Sequence, residues 1–332
     1  MPAVGVRAAR AAHEAAIFAR ANVVGVAVGN KWIRGRETDD LCILVFVAHK
    51  RPEDQLRRRD IVPKQFDGVP TDVVETGRFQ ALQSVQAVGV ERTKRMRPAP
   101  GGVSIGHYRV TAGTLGVLAH REGRPVILSN NHVLANGNDA RVGDPILQPG
   151  PVDGGRLQDA IARLADFVPI QYNERNLGLF GRFLEWLLGP LLAYAGLALK
   201  RLPSGRPNLV DAAIGEPIDT GLVGPDIVGI RRVPGMGNAD IGLRVRKSGR
   251  TTGVTEGRVT AIDAVVEVDY GGKTAIFREQ IASDLLSKGG DSGSLVVDDA
   301  GRAVGLLFAG GVATTLINPI EAVARLLELD LA

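Results

Sequence analysis

The chain has 332 residues, 45% of them apolar, with 42 glycines and few aromatics, a composition that predicts a full core in a turn-rich β protein. Its net charge of +4 comes without any basic run interleaved with aromatics, which excludes a nucleic-acid groove as the main function. A single cysteine, Cys42, excludes an intramolecular disulfide, and the charge-interrupted N-terminal stretch is no secretory signal, so the protein reads as cytoplasmic.

Residues 7–21 are alanine-rich and predict a helix. Asn22–Val28 reads as a strand with Gly29-Asn30-Lys31 as its turn, and the continuous apolar run Leu41–Val47 as a strand buried on both faces. Cys42 within that run is a small core residue rather than a reactive thiol. Pro52 opens a short helix through Arg59, whose arginines face solvent, and Pro70–Glu75 is a further strand. Together these form a small α/β module without a catalytic cluster. Residues 91–102, basic and then Pro/Gly-rich, read as a linker, so the expected division is a module with linker over 1–98 and a second domain over 99–332.

Beyond the linker, Ala112–Ala119 and Pro125–Ser129 read as a strand pair ending in Asn130-Asn131-His132-Val133-Leu134. A histidine just past an apolar strand is held rigidly yet can face a cleft. His13, His49, His107 and His120 have no such setting and read as structural. The stretch Ala112–Leu134 resembles the first hairpin of trypsin-like serine proteases, most closely the HtrA kind, and is similar to bacterial relatives of the plant Narrow-leaf protease type. The resemblance implies that His132 is a general base.

The same resemblance implies a carboxylate between the histidine and the nucleophile. Asp211, ahead of the apolar Ala212-Ala-Ile214, and Asp159, ahead of Ala160-Ile-Ala162, both fit. Asp211 is favoured because a first barrel needs further strands before its aspartate loop. Asp144 and Asp153 sit in Gly/Pro-rich turns and read as turn formers. Between the two candidates lies an apolar insertion over 170–207, densest at 177–199. It approaches the about 20 residues of a membrane span, but Arg182, Glu185 and Gly189-Pro190 interrupt it. Two short helices are expected there, covering a subunit interface or forming a lid, with peripheral membrane contact as the second reading.

Val245–Ile262 is turn residues followed by a strand, without the order of a phosphate-binding loop, and resembles the entry to a second protease barrel. Strands at Ala264–Tyr270 and Thr274–Phe277 flank the turn Gly271-Gly272. Then comes Lys288-Gly-Gly-Asp-Ser-Gly-Ser-Leu295. Glycines on both sides of a serine let the backbone present amides to an oxyanion, but the serine needs a base to take its proton. A hairpin and an amphipathic helix over Pro319–Leu329 close the chain.

The resemblance, over roughly 100–330, implies a mainly β fold of two antiparallel barrels, chymotrypsin-like. It implies a His132–Asp211–Ser292 triad, with the amides of Gly290 and Ser292 as oxyanion hole. It implies Leu286, six positions before Ser292, at the base of a specificity pocket walled by Phe308, Ala309 and Gly310. Leucine there excludes a trypsin-type basic preference and favours a small or medium apolar side chain. The activity implied is endopeptidase, on protein or peptide substrate, in a homo-oligomer, without metal or cofactor. A protease-fold scaffold with little turnover is the alternative. No processed N-terminus is evident to pair with Asp291, so the resemblance leaves open what orders the nucleophile loop.

Overall fold

The computed structural model describes residues 3–81, 91–173 and 207–331. The N-terminal part comprises helix α1 (Ala3–Phe18) and strands β1 (Val23–Ile33), β2 (Arg36–Val47), β3 (Gln65–Phe66), β4 (Val69–Glu75) and β5 (Phe79–Ala81). β1 is longer than expected. Gly29 is a close approach rather than a turn: a Cβ there would lie 2.4 Å from Leu44 Cδ1 and 2.8 Å from the Thr260 carbonyl oxygen. The turn falls instead at Arg34-Gly35, both at positive φ. The segment after Pro52 is two 3-10 turns, Glu53–Gln55 and Arg58–Asp60, rather than one helix. Cys42 is buried, and desolvation raises its thiol to about 12, so it stays protonated.

The next strands are β6 (Ala99–Gly101), β7 (Ser104–His107), β8 (Gly113–Thr114), β9 (Val117–Arg121), β10 (Arg124–Ser129), β11 (Pro145–Leu147), β12 (Ala160–Phe167), β13 (Ala213–Pro217) and β14 (Val223–Ile227). The short helix α2 (Asn131–Leu134) follows β10. The order in the sheet is β8-β7-β11-β12-β13-β10-β9. Its edge strands β8 and β9 are joined through Leu115-Gly116, whose amides bond to Val103 and Leu128, so the sheet curls round to meet itself. Ile105, Leu115, Ile127, Ile146, Ile161 and Leu164 fill the interior.

The second sheet contains β15 (Arg244–Gly249), β16 (Gly253–Asp269), β17 (Thr274–Ser283), β18 (Leu295–Asp298), β19 (Ala303–Gly310) and β20 (Thr315–Pro319), followed by helix α3 (Ile320–Leu327). Its order β15-β18-β19-β20-β17-β16, with β15 also paired to β16, closes a second barrel around Val259, Ile281, Val296, Val304, Leu307 and Ile317. The α3 residues Ile320, Val323, Ala324 and Leu327 are buried between barrels as the periodicity predicts. Beyond α3, His120 and Asp330 exchange backbone hydrogen bonds, tying the C-terminus to the first barrel.

The N-terminal strands form no sheet of their own. β1 pairs antiparallel with β16, Val26 opposite Val265, and extends the second barrel's sheet through β2 and β4. α1 shares a core with Val265 of β16 and Ile276 of β17, and Glu14 accepts a hydrogen bond from Arg278 at 2.8 Å. The stretch read as a linker is partly interior: Thr93 and Ala99 are buried, and β6 pairs with β14. Proline and glycine serve there as bends.

An ion pair crosses between the barrels. Arg250 donates through Nε to Asp153 Oδ2 at 2.6 Å, and both side chains are buried. Asp153, read from the sequence as a turn former, does sit in a 3-10 turn but also neutralises this cation. Removing one member of such a pair strands a buried charge. Asp153→Asn is therefore expected to lower stability by about 3 kcal/mol, measured by urea unfolding.

Candidate active site

The first barrel places His132 and Asp211 together, since β10 and β13 are neighbouring strands. β10 ends at Ser129 and α2 turns His132 toward the segment that leads into β13. His132 Nδ1 lies 2.6 Å from Asp211 Oδ2, and the His132 backbone amide donates to Asp211 Oδ1 at 3.2 Å. Asp211 is fully buried, so its charge needs these donors. Asn130 Nδ2 donates to the Asp211 carbonyl at 2.6 Å, and the Asp211 amide donates to Asn318 Oδ1 at 3.0 Å. With Nδ1 donating to the carboxylate, Nε2 is left as the acceptor, and it is buried without a hydrogen-bond partner among the described residues. An orphaned buried nitrogen calls for an explanation, and an acceptor reserved for an incoming proton is one. Asp159, the alternative acid, instead accepts from the Arg156 amide in a local turn and pairs with Arg95 at 3.4 Å.

A third donor reaches the same carboxylate. Tyr270, directly after β16, donates its hydroxyl to Asp211 Oδ2 at 2.8 Å, and its ring lies edge-on to His132 with centroids 5.9 Å apart. Sequence reading missed it, since nothing local distinguishes this tyrosine from any strand-end aromatic. Burial first, and then the Asp211 charge, push its hydroxyl well above the ordinary phenol range. The folded protein thus keeps a proton that the unfolded chain loses near pH 10, so this contribution is intact below that pH and is lost as pH rises beyond it. Melting temperature should fall on going from pH 9 to 11, and less steeply in Tyr270→Phe. At neutral pH, the same change should lower kcat/KM about tenfold, the loss of one hydrogen bond to a charged group.

The Ser292 loop abuts β10, the strand that leads to His132. Gly293 has φ +91°, and a Cβ on it would lie 2.0 Å from Ser129 Oγ. The Thr114 amide donates to the Ser292 carbonyl at 2.8 Å, and Thr114 Oγ1 donates to the Gly290 carbonyl at 2.8 Å. Thr251 Oγ1 holds the Gly289 carbonyl at 2.7 Å. A trans peptide sets its C=O and N–H in opposite directions, so this bond fixes which way the Gly290 amide points. Ser292 itself is buried, and its Oγ donates to the Phe308 carbonyl at 3.1 Å.

Asp291 is held by groups of the segment around residues 247–252 and by Lys288. Its carboxylate accepts from the amides of Thr251 at 2.9 Å, Thr252 at 3.1 Å and Lys288 at 3.0 Å, and from Thr252 Oγ1 at 2.7 Å. Lys247 Nζ stands 3.4 Å away, and both side chains are fully buried. Burial lowers the Lys247 pKa while the Asp291 charge raises it, with burial the stronger. Lys247 was missed in the sequence, though a signal existed: period-two alternation puts it on the same buried face of β15 as Val245.

The pocket residues fare differently. Leu286 is 57% exposed and does not form a pocket base. In the irregular segment after β17, Leu285 packs into the core of the second barrel and Leu286 faces outward, with its carbonyl accepting from Thr255 Oγ1. Phe308 and Ala309 are buried in the core, the Phe308 ring against Phe277 at 4.8 Å. Gly310 alone of the four lines a cavity beside the Ser292 loop, of about 570 Å³, with Gly289, Arg78, Gln80 and Asp269. The apolar stretch 177–199 lies outside the described residues. Among the described residues, no helix is long and apolar enough to cross a membrane, and no cluster of metal-ligating side chains occurs.

Residues 6–75 match the NARROW LEAF 1 N-terminal domain. Serine protease 2 of Streptomyces fradiae is 40% identical over 88 residues, 26% of this chain and 42% of that protein, so the match spans less than half of the relative. Among solved structures, Cellulomonas bogoriensis chymotrypsin covers 70% of this chain with 97% of its own length, at 17% identity and a TM-score of 0.43. A glutamic-acid-specific serine protease aligns over 70% of this chain and 100% of its own, at 16% and 0.46. The fold is chymotrypsin-like. That follows from two closed antiparallel barrels, with His132 and Asp211 carried by the first and Ser292 by the second.

Proposed function

We propose that the chain is a serine endopeptidase acting through an acyl-enzyme on Ser292. The observation that carries this is the pairing of His132 Nδ1 with a buried Asp211, which leaves Nε2 as an unpartnered acceptor in the barrel whose strands abut the Ser292 loop. In the proposed reaction the Ser292 hydroxyl turns from the Phe308 carbonyl to His132 Nε2 and attacks a peptide carbonyl. Nε2 takes the proton, and Asp211 stabilises the imidazolium. The oxyanion is received by the amides of Gly290 and Ser292, whose orientation the Thr251, Thr114 and Asp291 contacts hold in advance. His132 then passes its proton to the leaving amine, the C–N bond breaks, and water repeats the sequence against the acyl-serine, returning the proton to Ser292.

The substrate class is peptide or protein. Tyr270 belongs to this machinery as a positioning residue, since it touches Asp211 rather than substrate. Cytoplasmic residence and self-association are part of the same proposal, the latter checked by light scattering on the purified protein. The reaction itself is tested by fluorophosphonate labelling: wild type should label at Ser292, and Ser292→Ala and His132→Ala should not. A protein that hydrolyses nothing and never labels is the scaffold alternative.

A further inference from the structure

The strand β19 leads away from the nucleophile, since Ser292 Oγ bonds to the carbonyl of Phe308 and Ala309-Gly310 follow. An extended peptide adds to a sheet edge through main-chain hydrogen bonds, so the edge of β19 beside Ser292 is where a substrate backbone would pair. That edge is taken. β5 lies antiparallel on it, with Ala81 opposite Ala309 and Gln80 opposite Gly310. Its direction is the one a substrate needs, running N to C toward Ser292, and its last described pair falls one position short of Phe308. Upstream, the Thr76 carbonyl accepts from the Val312 amide at 2.7 Å, so the segment from Thr76 to Ala81 runs beside the end of β19 and the turn that follows it.

We propose that Phe79–Ala81 occupies the substrate strand position on β19 and holds the enzyme in a self-blocked resting state, from which an extended peptide must displace it. This rests on the serine endopeptidase reading. Two features make β5 a removable occupant rather than a barrel strand. The second barrel closes without it, through the pairing of β15 with β16. Its other edge pairs with β16 over only two positions, Phe79 with Val268 and Gln80 with Asp269. What anchors it is Phe79, buried edge-on against Phe46 of β2 at 5.8 Å, so the N-terminal strands and the blocking strand are one packed unit. The cavity lined by Gln80, Gly289 and Gly310 leaves room for a side chain next to the nucleophile loop, while the backbone position beside it is filled.

The test separates a small acylating probe from a peptide. A fluorophosphonate reaches Ser292 without strand pairing, whereas a chromogenic tetrapeptide with alanine before the cleaved bond requires it. Gln80 has an exposed side chain, and Gln80→Pro removes its amide and weakens the strand at little cost to the core. In the full chain, Gln80→Pro should raise tetrapeptide turnover about tenfold or more, as expected when the competent state is otherwise a minor population, while fluorophosphonate labelling stays near the wild-type rate. Equal tetrapeptide turnover in the two proteins, with labelling intact, overturns the proposal. Absence of labelling in both overturns the endopeptidase reading and takes the blocking role with it. If Gln80→Pro does not fold, hydrogen exchange on the wild type decides: a tetrapeptidyl boronic acid should strip protection from the amides of Phe79–Ala81, and unchanged protection at full occupancy refutes displacement.

Discussion

Ser292→Ala and His132→Ala should each lower peptide turnover by about 10⁶-fold, and the double variant should lose little more, because nucleophile and base act as a unit. Asp211→Asn should lose about 10⁴-fold, since an amide presents the wrong partner to Nδ1 and leaves the imidazolium unsupported. The geometry makes the expectation specific. Asp211 accepts from His132 Nδ1, from the His132 amide and from the Tyr270 hydroxyl, so all three donors must find a new arrangement when the charge goes. Steady-state kinetics on a peptide, with circular dichroism to establish that each variant is folded, checks the set. Additive losses in the Ser292→Ala, His132→Ala double variant would show that the two residues do not cooperate.

Lys247→Met should destabilise the protein by about 3–5 kcal/mol and silence Ser292 labelling, although Lys247 has no contact with substrate in the proposed reaction. The cation is fully buried beside Asp291, and without it the carboxylate keeps four hydrogen-bond donors but, among the described residues, no opposite charge at contact distance. Asp291 is adjacent to Ser292, and its loop carries the amides proposed to receive the oxyanion, so on that proposal the defect falls on the chemistry as well as on the fold. Urea unfolding measures the first effect and the fluorophosphonate labelling rate the second. Full stability in Lys247→Met would show that the backbone donors suffice alone. Lys247 thus places an internal cation of β15 against the carboxylate next to Ser292.

The legible parts of the site were those with a local signature. The strand before His132, the glycines around Ser292 and the apolar run after Asp211 each show themselves within about ten residues, because strand periodicity and turn sterics act at that range. Leu286 shows the limit of carrying a position over by counting along a motif: in the irregular segment after β17 its neighbour Leu285 took the inward direction and Leu286 was left in solvent. Asp153 shows another limit. It does form a turn, but its pairing with Arg250 joins residues far apart in the chain, and no local pattern announces it.

Composition, periodicity and the three motifs were enough, from the sequence alone, to establish a β-rich chain with a histidine, an aspartate and a glycine-flanked serine in protease order. Only the tertiary structure decided which aspartate meets His132, that Lys247 neutralises Asp291, that Tyr270 completes the carboxylate's shell, and that β5 lies on the edge of β19. The physical reason is the same in each case. Short-range sterics and alternation are written into neighbouring residues, whereas these contacts depend on the register in which two closed barrels bring distant strands together.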